Sequence, residues 1–334
     1  MIDQLHPIFR LIADGNPFIG DRVLSIEITD EAGFESDQLI VTLDDADPQI
    51  ARPREGAVLA ISIGYRETGL VDFGSYTVEE IEREGWPRRL ILTAKAANHA
   101  KAMKEPKTRA WEGKTVREIV ETIAGEHGLT AQVAGRLGSI AIPFLAQTEE
   151  SDQNLLTRLG KRIGAIITIK DQRLLVTARH SGKTAGGLSM PELVVTRDML
   201  IADGGYRIGS RPRGRFGTVR ARWRDRQAGA TRSVDVETGL EGPRKTLREV
   251  YQDEDEARRA ADAAVREVKA GEGEMTLLLV GSPLARAEAP IMVQGVGLDI
   301  DGRWIASGVR HHWNFEAQGA TTEITAEFGA DDEG

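Results

Sequence analysis

The sequence predicts an α+β protein, with strand-rich regions at residues 1–103 and 186–330 on either side of a small α/β unit at 104–185. Three observations lead to this class. Short β-rich runs separated by turn residues fill the first hundred positions. A helix-period pattern followed by two short apolar runs occupies 147–179. Strand-like alternation resumes after Gly186-Gly187 and is broken by one long helical pattern at 254–270. The last four residues, 331–334, read as an acidic tail.

Composition narrows the function classes. A chain of 334 residues is long enough for two or three domains, each with its own core. No run approaches the roughly 18 apolar residues of a membrane-spanning helix, so no membrane insertion is expected. Residues 1–18 lack the basic start and apolar centre of a signal peptide, and synthesis in the cytoplasm is the expectation. With no cysteine there is neither a disulfide frame nor a thiolate metal site. A net charge of −9 argues against a protein that coats DNA, though it allows a local basic patch.

In the first region, 22–28, 39–43, 58–63, 74–78 and 89–94 are β-rich, and strands at this spacing suggest a barrel or a sandwich. Asp44, Asp45 and Asp47 have the residue type of a calcium loop. They lack the glycine and distal glutamate of an EF-hand, and Pro48 follows at once, so they read as turn residues.

From Trp111 the pattern turns helical. Thr115 and Glu118 have capping-box spacing, Val116, Ile119, Val120 and Ile123 form an apolar face, and Gly128 ends the helix. The central helix starts at Ser151, a good N-cap, with Glu149, Glu150 and Asp152 at its positive end. Leu155, Leu156, Leu159 and Ile163 make one stripe, and Gly164 stands where a left-handed residue closes a helix. Apolar runs at 165–169 and 174–178, joined by a polar turn, predict a hairpin. The expectation is a helix packing its leucine face on that hairpin, as a module set apart from the flanking strands.

After residue 186 the conspicuous feature is arginine. Val219, Ala221 and Trp223 alternate with Arg220, Arg222 and Arg224, so these arginines share one strand face. The run 233–237 places Asp235 and Glu237 on one face, and a hairpin would set carboxylates beside the arginines as ion pairs. Arg211, Arg213 and Arg215 fall in a Pro/Gly loop and are the candidates for gripping a partner. In the helix expected at 254–270 Asp253 and Glu256 have capping-box spacing, and small residues from Ala257 to Val268 suit close packing across the strands of the second β-rich region. The last strands run parallel in pattern to the first region: 39–43 with 275–280, 58–64 with 291–297, 76–78 with 304–306, and 90–94 with 322–326.

Gln147, Glu150-Ser151-Asp152, Leu156, Arg158-Leu159 and Gly164-Ala165, with Asp171 and Leu174, resemble the central signature of the phage late control gene D family. These are tail hub proteins of contractile-tailed phages, related to the hub region of type VI secretion spike proteins. Tyr251, Asp253 and 256–261, then 302–304 and 309–311, are similar to the same family at corresponding places. The resemblance implies two tube-type β-barrel domains per chain with the α/β domain inserted between them. It further implies a homotrimer that adapts a sixfold tail tube to a threefold central spike. Expected partners are the spike, the tail tube and baseplate wedge proteins, with tape-measure protein or DNA passing through the lumen. The expected location is the tail baseplate of a virion, assembled in the host cytoplasm.

Trp111, Gly113, Lys114, Thr115 and Leu129 are also similar to the opening of a LysM-type peptidoglycan-binding repeat. The second helix and closing strand of such a repeat do not follow, so this is the second reading. Catalysis finds little support. His311 and His312 are adjacent and point to opposite faces of a strand, and Ser151 has no glycine elbow around it. No catalytic, cofactor or metal residue is therefore assigned.

Overall fold

The computed structural model describes residues 5–328 except 19, 34–36, 97–102, 171, 211–214, 272 and 318. Asp171, Arg211, Arg213 and the acidic tail 331–334 lie outside the described residues.

Both strand-rich regions enter one sheet. The first contributes β1 (Pro7–Ala13), β2 (Asn16–Pro17), β3 (Val23–Glu31), β4 (Gln38–Asp44), β5 (Val58–Tyr65), β6 (Gly69–Glu84) and β7 (Arg89–Ala96). The alternation predicted there is real: Ile26 and Ile28 on β3, and Leu39, Val41 and Leu43 on β4, are fully buried while their neighbours are not. β1 is the strand that sequence reading missed, and it pairs antiparallel with β5 along its whole length.

Five further strands of this sheet come after residue 186, together with β13 (Leu193–Thr196). They are β14 (Tyr206–Ser210), β18 (Gly273–Val280), β19 (Pro290–Gln294), β20 (Gly302–Asn314) and β21 (Gly319–Phe328). The strand order β3-β4-β7-β6-β5-β1 of the first region returns as β14-β18-β21-β20-β19-β13 in the second. The correspondence extends to irregularities. The β6–β7 ladder slips between Val78 and Glu80, and the β20–β21 ladder slips between Ala306 and Gly308. One member departs from the pattern, since β13 runs parallel to β19 where β1 is antiparallel to β5. The two sets have separate apolar cores, one around Ile61 and Leu90 and one around Leu277 and Trp304. They are joined by antiparallel pairing of β20 with β3, from Gly308 opposite Glu31 to Asn314 opposite Ser25.

The α/β unit has a third core. It holds β8 (Pro106–Thr115), β9 (Thr130–Val133), β10 (Ala141–Ser151), β11 (Ala165–Lys170) and β12 (Arg173–Ala178). Its two longer helices are α1 (Val116–Glu126), capped by the expected Thr115–Glu118 box, and α2 (Asp152–Ile163). Trp111 belongs to β8, paired with β10 across from Leu145, and the helix begins only at Val116. The predicted helix-hairpin is present: Ser151 Oγ accepts from Asn154 N at 3.2 Å, and Gly164 closes α2 at φ 67°. Leu155, Leu156, Leu159 and Ile163 are buried against β11 and its neighbours. Ser151→Ala is expected to cost about 1 kcal/mol through this lost cap, as a small fall in the urea midpoint of the purified protein.

The strands carrying arginine form a sheet of their own. β15 (Thr218–Asp225) lies between β16 (Ala230–Glu237), antiparallel, and β17 (Arg244–Tyr251), parallel. Helix α3 (Glu254–Ala270) packs its alanine stripe on this small sheet, around Val219, Ala221 and Val234. The expected helix is thus correct, but it covers a satellite sheet and not the repeated strands. Asp253 caps it at 2.8 Å, whereas Glu256 reaches the N–H of Gln252 and not that of Asp253.

The α/β unit is less detached than its separate core suggests. Buried Arg162 on α2 pairs with buried Glu256 on α3. Arg158 reaches Glu249 on β17 at 3.5 Å, and Thr168 donates to the carbonyl of Gly33 at 2.5 Å.

Candidate functional site

The signature residues on β10 and α2 converge on one buried carboxylate. Asp152 is the first residue of α2 and has no exposed surface. Its Oδ1 accepts from Arg109 Nη2 at 2.7 Å and from Gln147 Nε2 at 2.8 Å. Its Oδ2 meets Lys107 Nζ at 2.6 Å and His127 Nε2 at 2.8 Å. Gln147 is itself fully buried, and also donates to the Glu150 carbonyl at 2.8 Å while accepting from Arg109 Nε. Glu126 closes the set, taking Lys107 at 2.8 Å and Arg109 at 2.5 Å. Burial works against the ionised carboxyl. Hydrogen bonds from Lys107, Gln147 and His127, with the charge of Arg109, outweigh it and hold Asp152 at about 2.

This cluster gives the spacing of Gln147, Glu150 and Asp152 a structural task. Glu150 turns outward to Arg158 at 2.8 Å, so it bridges the strand end to the second turn of α2. Leu156 and Leu159 are core, Ser151 and Gly164 are caps, and Gln147, Glu150 and Asp152 are held in the polar contacts just described. Sequence reading missed the cationic partners, Lys107 and Arg109. Their spacing of two was the available signal, since it sets both on one face of β8. Assigning this stretch to the approach of a helix hid it. Glu126, His127 and Asp152 also bring three possible ligand atoms within 4.8 Å of one another. Both carboxylates already hold Lys107 and Arg109, and those cations would repel a metal ion. The arrangement is an ion-pair clasp between β8, α1 and α2.

A second cluster ties three parts of the chain together. Lys170, at the end of β11, pairs with Asp30 on β3 and lies 3.5 Å from Asp37. Asp30 Oδ2 accepts from the N–H of Ala287 at 3.0 Å. Arg286 lies over the Phe73 ring at 3.9 Å. These groups line a cleft of about 560 Å³. Burial, and then Asp30 beside it, push Asp37 up to about 6 although Lys170 pulls the other way. First region, hairpin and last region thus meet at a charged junction.

The arginine strand bears out one of its three expected pairs. Arg220 holds Asp235 through two hydrogen bonds of 2.7 Å. Arg222 instead donates to the carbonyl of Arg248 at 3.2 Å. Glu237 accepts from Thr218 at 3.2 Å and, among the described residues, from no arginine. The register is the reason: Arg222 faces Ser233 and Arg224 faces Thr231, so the carboxylates are exhausted after Arg220. Arg215 is described and exposed. The acidic turn behaves as local structure, with Asp44 accepting from Ala46 N and buried Asp45 from Ile50 N, the latter also meeting Arg83 at 3.4 Å. Trp111 is buried under Arg109, whose guanidinium is 4.3 Å from the ring, so it presents no open face for stacking on a sugar.

Comparison with known proteins extends this picture. A family model described as phage tail baseplate hub (GPD) matches residues 77–317. A probable baseplate hub protein of Escherichia phage 186 is 31% identical, over 97% of this chain and 93% of its own. Its counterpart in Escherichia phage P2 is 36% identical over 66% of this chain and 57% of its own. Among solved structures, a tail protein from Neisseria meningitidis has the same fold, with a TM-score of 0.72 at 14% identity and 96% of each chain covered. An E. coli component of the type VI secretion system shares the fold at a TM-score of 0.56 and 12% identity, over 93% of this chain and 74% of its own.

Proposed function

The chain belongs to the phage tail baseplate hub family, and on that premise we propose that three copies of it form a ring joining a sixfold tail tube to a threefold central spike. The observation carrying this reading is the repeated strand order, β3-β4-β7-β6-β5-β1 and β14-β18-β21-β20-β19-β13. Two like units per chain, residues 1–103 and 186–330, act as tube-type barrel domains, so three chains offer six similar faces to the tube while keeping threefold symmetry for the spike. The α/β domain at 104–185 sits between them, fastened by Arg162–Glu256 and by Lys170 with Asp30.

The role is mechanical and not enzymatic. The signature Gln147, Glu150, Ser151, Asp152, Leu156, Leu159 and Gly164 preserves the shape of the inserted domain, and Arg211, Arg213 and Arg215 contact a partner. Spike, tube and baseplate wedge proteins are the partners, DNA or tape-measure protein passes through the ring, and assembly takes place in the host cytoplasm. Native mass measurement of the hub with its spike is expected to give three hub copies. A hub that remains monomeric in the presence of spike would overturn the proposal.

A further inference from the structure

The repeat makes one of the chain's own contacts a template for a second. Correspondence between the two sets can be followed residue by residue. Val78 exchanges backbone hydrogen bonds with Gly56 and Ala57, and Ala306 does so with Glu288 and Ala289. Val78 and Ala306 are also the last residues before the slip in their ladders. Glu80 therefore corresponds to Gly308, Glu82 to Arg310 and Glu84 to His312. On the other side, Ile28 opposes Leu39 as Ile208 opposes Met275, and Leu39 and Met275 stand opposite Ala94 and Ala326. Thus β14 corresponds to β3.

Within the chain, the second half of β20 pairs with β3. The corresponding strands, the second half of β6 and β14, have no such neighbour among the described residues: β6 from Glu80 to Glu84 pairs only with β7, and β14 pairs only with β18. The missing neighbour leaves a mark in exposure. Ile26 and Ile28 on β3 are 0% exposed, whereas the corresponding Tyr206 and Ile208 on β14 are 46% and 37% exposed. An open edge bearing large apolar residues is a template for another strand.

We propose that β14 pairs antiparallel with the second half of β6 from a second copy of this chain, in the register that sets Arg207 opposite Glu84. The register follows from the internal contact, in which Glu27 lies opposite His312 and Ile28 opposite His311. Charge supports it independently. Arg310 on β20 meets Glu27 on β3 at 3.5 Å. The corresponding pair is Glu82 with Arg207, the same complementarity with the signs exchanged. Glu80, Glu82 and Glu84 are exposed, Arg207 is exposed, and none of the four has an ion-pair partner among the described residues. Trp86, 85% exposed in the turn that follows the acidic edge, lies next to Gly85, which this register sets opposite Tyr206 of the neighbour. Because the two edges differ, the contact is head-to-tail, the kind that three copies repeat around the ring of the proposed hub. This inference rests on the hub reading and specifies which surfaces of the copies meet.

The absence of cysteine makes the test direct. The full chain carrying Glu84→Cys and Arg207→Cys, assembled with spike and oxidised, is expected to run as covalent multimers on a non-reducing gel. The Glu80→Cys, Arg207→Cys chain displaces one thiol by four residues, about 13 Å along the strand, beyond disulfide reach, and is expected to stay uncrosslinked. A trimer that forms on spike without the first crosslink, or with both equally, would overturn this pairing and leave the hub reading intact. A chain monomeric with spike would overturn both.

Discussion

Leu159→Ala is expected to destabilise the protein by about 2–5 kcal/mol, while Lys161→Ala two positions away leaves stability unchanged. Leu159 is at the middle of the α2 stripe and has no exposed surface, packed in a core that includes Leu155, Leu156, Ile167 and Val176. Truncation removes three buried carbons and leaves a cavity, because α2 is held from outside by Arg158–Glu150 and Arg162–Glu256 and cannot settle inward. Lys161 is exposed. Urea denaturation of the two variants beside the parent chain measures the difference. Coincident curves would mean that the stripe does not carry the α/β domain.

Asp152→Ala is expected to cost about 3–5 kcal/mol, since it removes one side of a buried ion-pair cluster and leaves the other side in place. Lys107, Arg109 and His127 would face one another with only Glu126 between them, and buried Gln147 would lose an acceptor. The effect carries a pH signature. Asp152 titrates at about 2 in the folded protein, below the roughly 3.9 of an unfolded aspartate. Its ionised form therefore stabilises the fold above pH 4, and this contribution, about 2 kcal/mol, is lost as pH falls from 4 to 2. The stability gap between the parent and Asp152→Asn should narrow over that window and hold steady from pH 5 to 8. A gap independent of pH would show that the carboxylate charge is not what the cluster uses.

Most of the secondary structure was legible because its causes are local. The α2 helix announces itself by a stripe at spacings of three and four, a serine before it and a glycine after it. The hairpin β11–β12 follows from two short apolar runs, and β3, β4 and β7 from alternation with a period of two. The resemblance to hub proteins was legible for the same reason, since the signature is a run of local folding tasks. Where reading failed, a local rule had a competitor. β8 and β10 carry alternating charges and scattered apolar residues, because one of their faces is a polar clasp and not a core. The arginine strand was placed correctly, but its pairs depend on a register that puts Ser233 and Thr231 opposite Arg222 and Arg224.

By itself the sequence determined most of the elements, the caps of the helices and the faint internal repeat. Tertiary structure alone decided what those elements meet. Asp152 finds Lys107 and Arg109 more than forty positions earlier, and Lys170 finds Asp30 at a separation of 140. Most decisively, β3 and β20 join the two strand sets into one sheet, Trp313 Nε1 donating across a separation of 249 residues to the Gly64 carbonyl at 3.2 Å. The reason is physical: propensity, periodicity and capping act over one or two turns of chain. The partner of a strand edge or a buried charge is set by which surfaces the packed cores bring together, and no spacing along the chain encodes that.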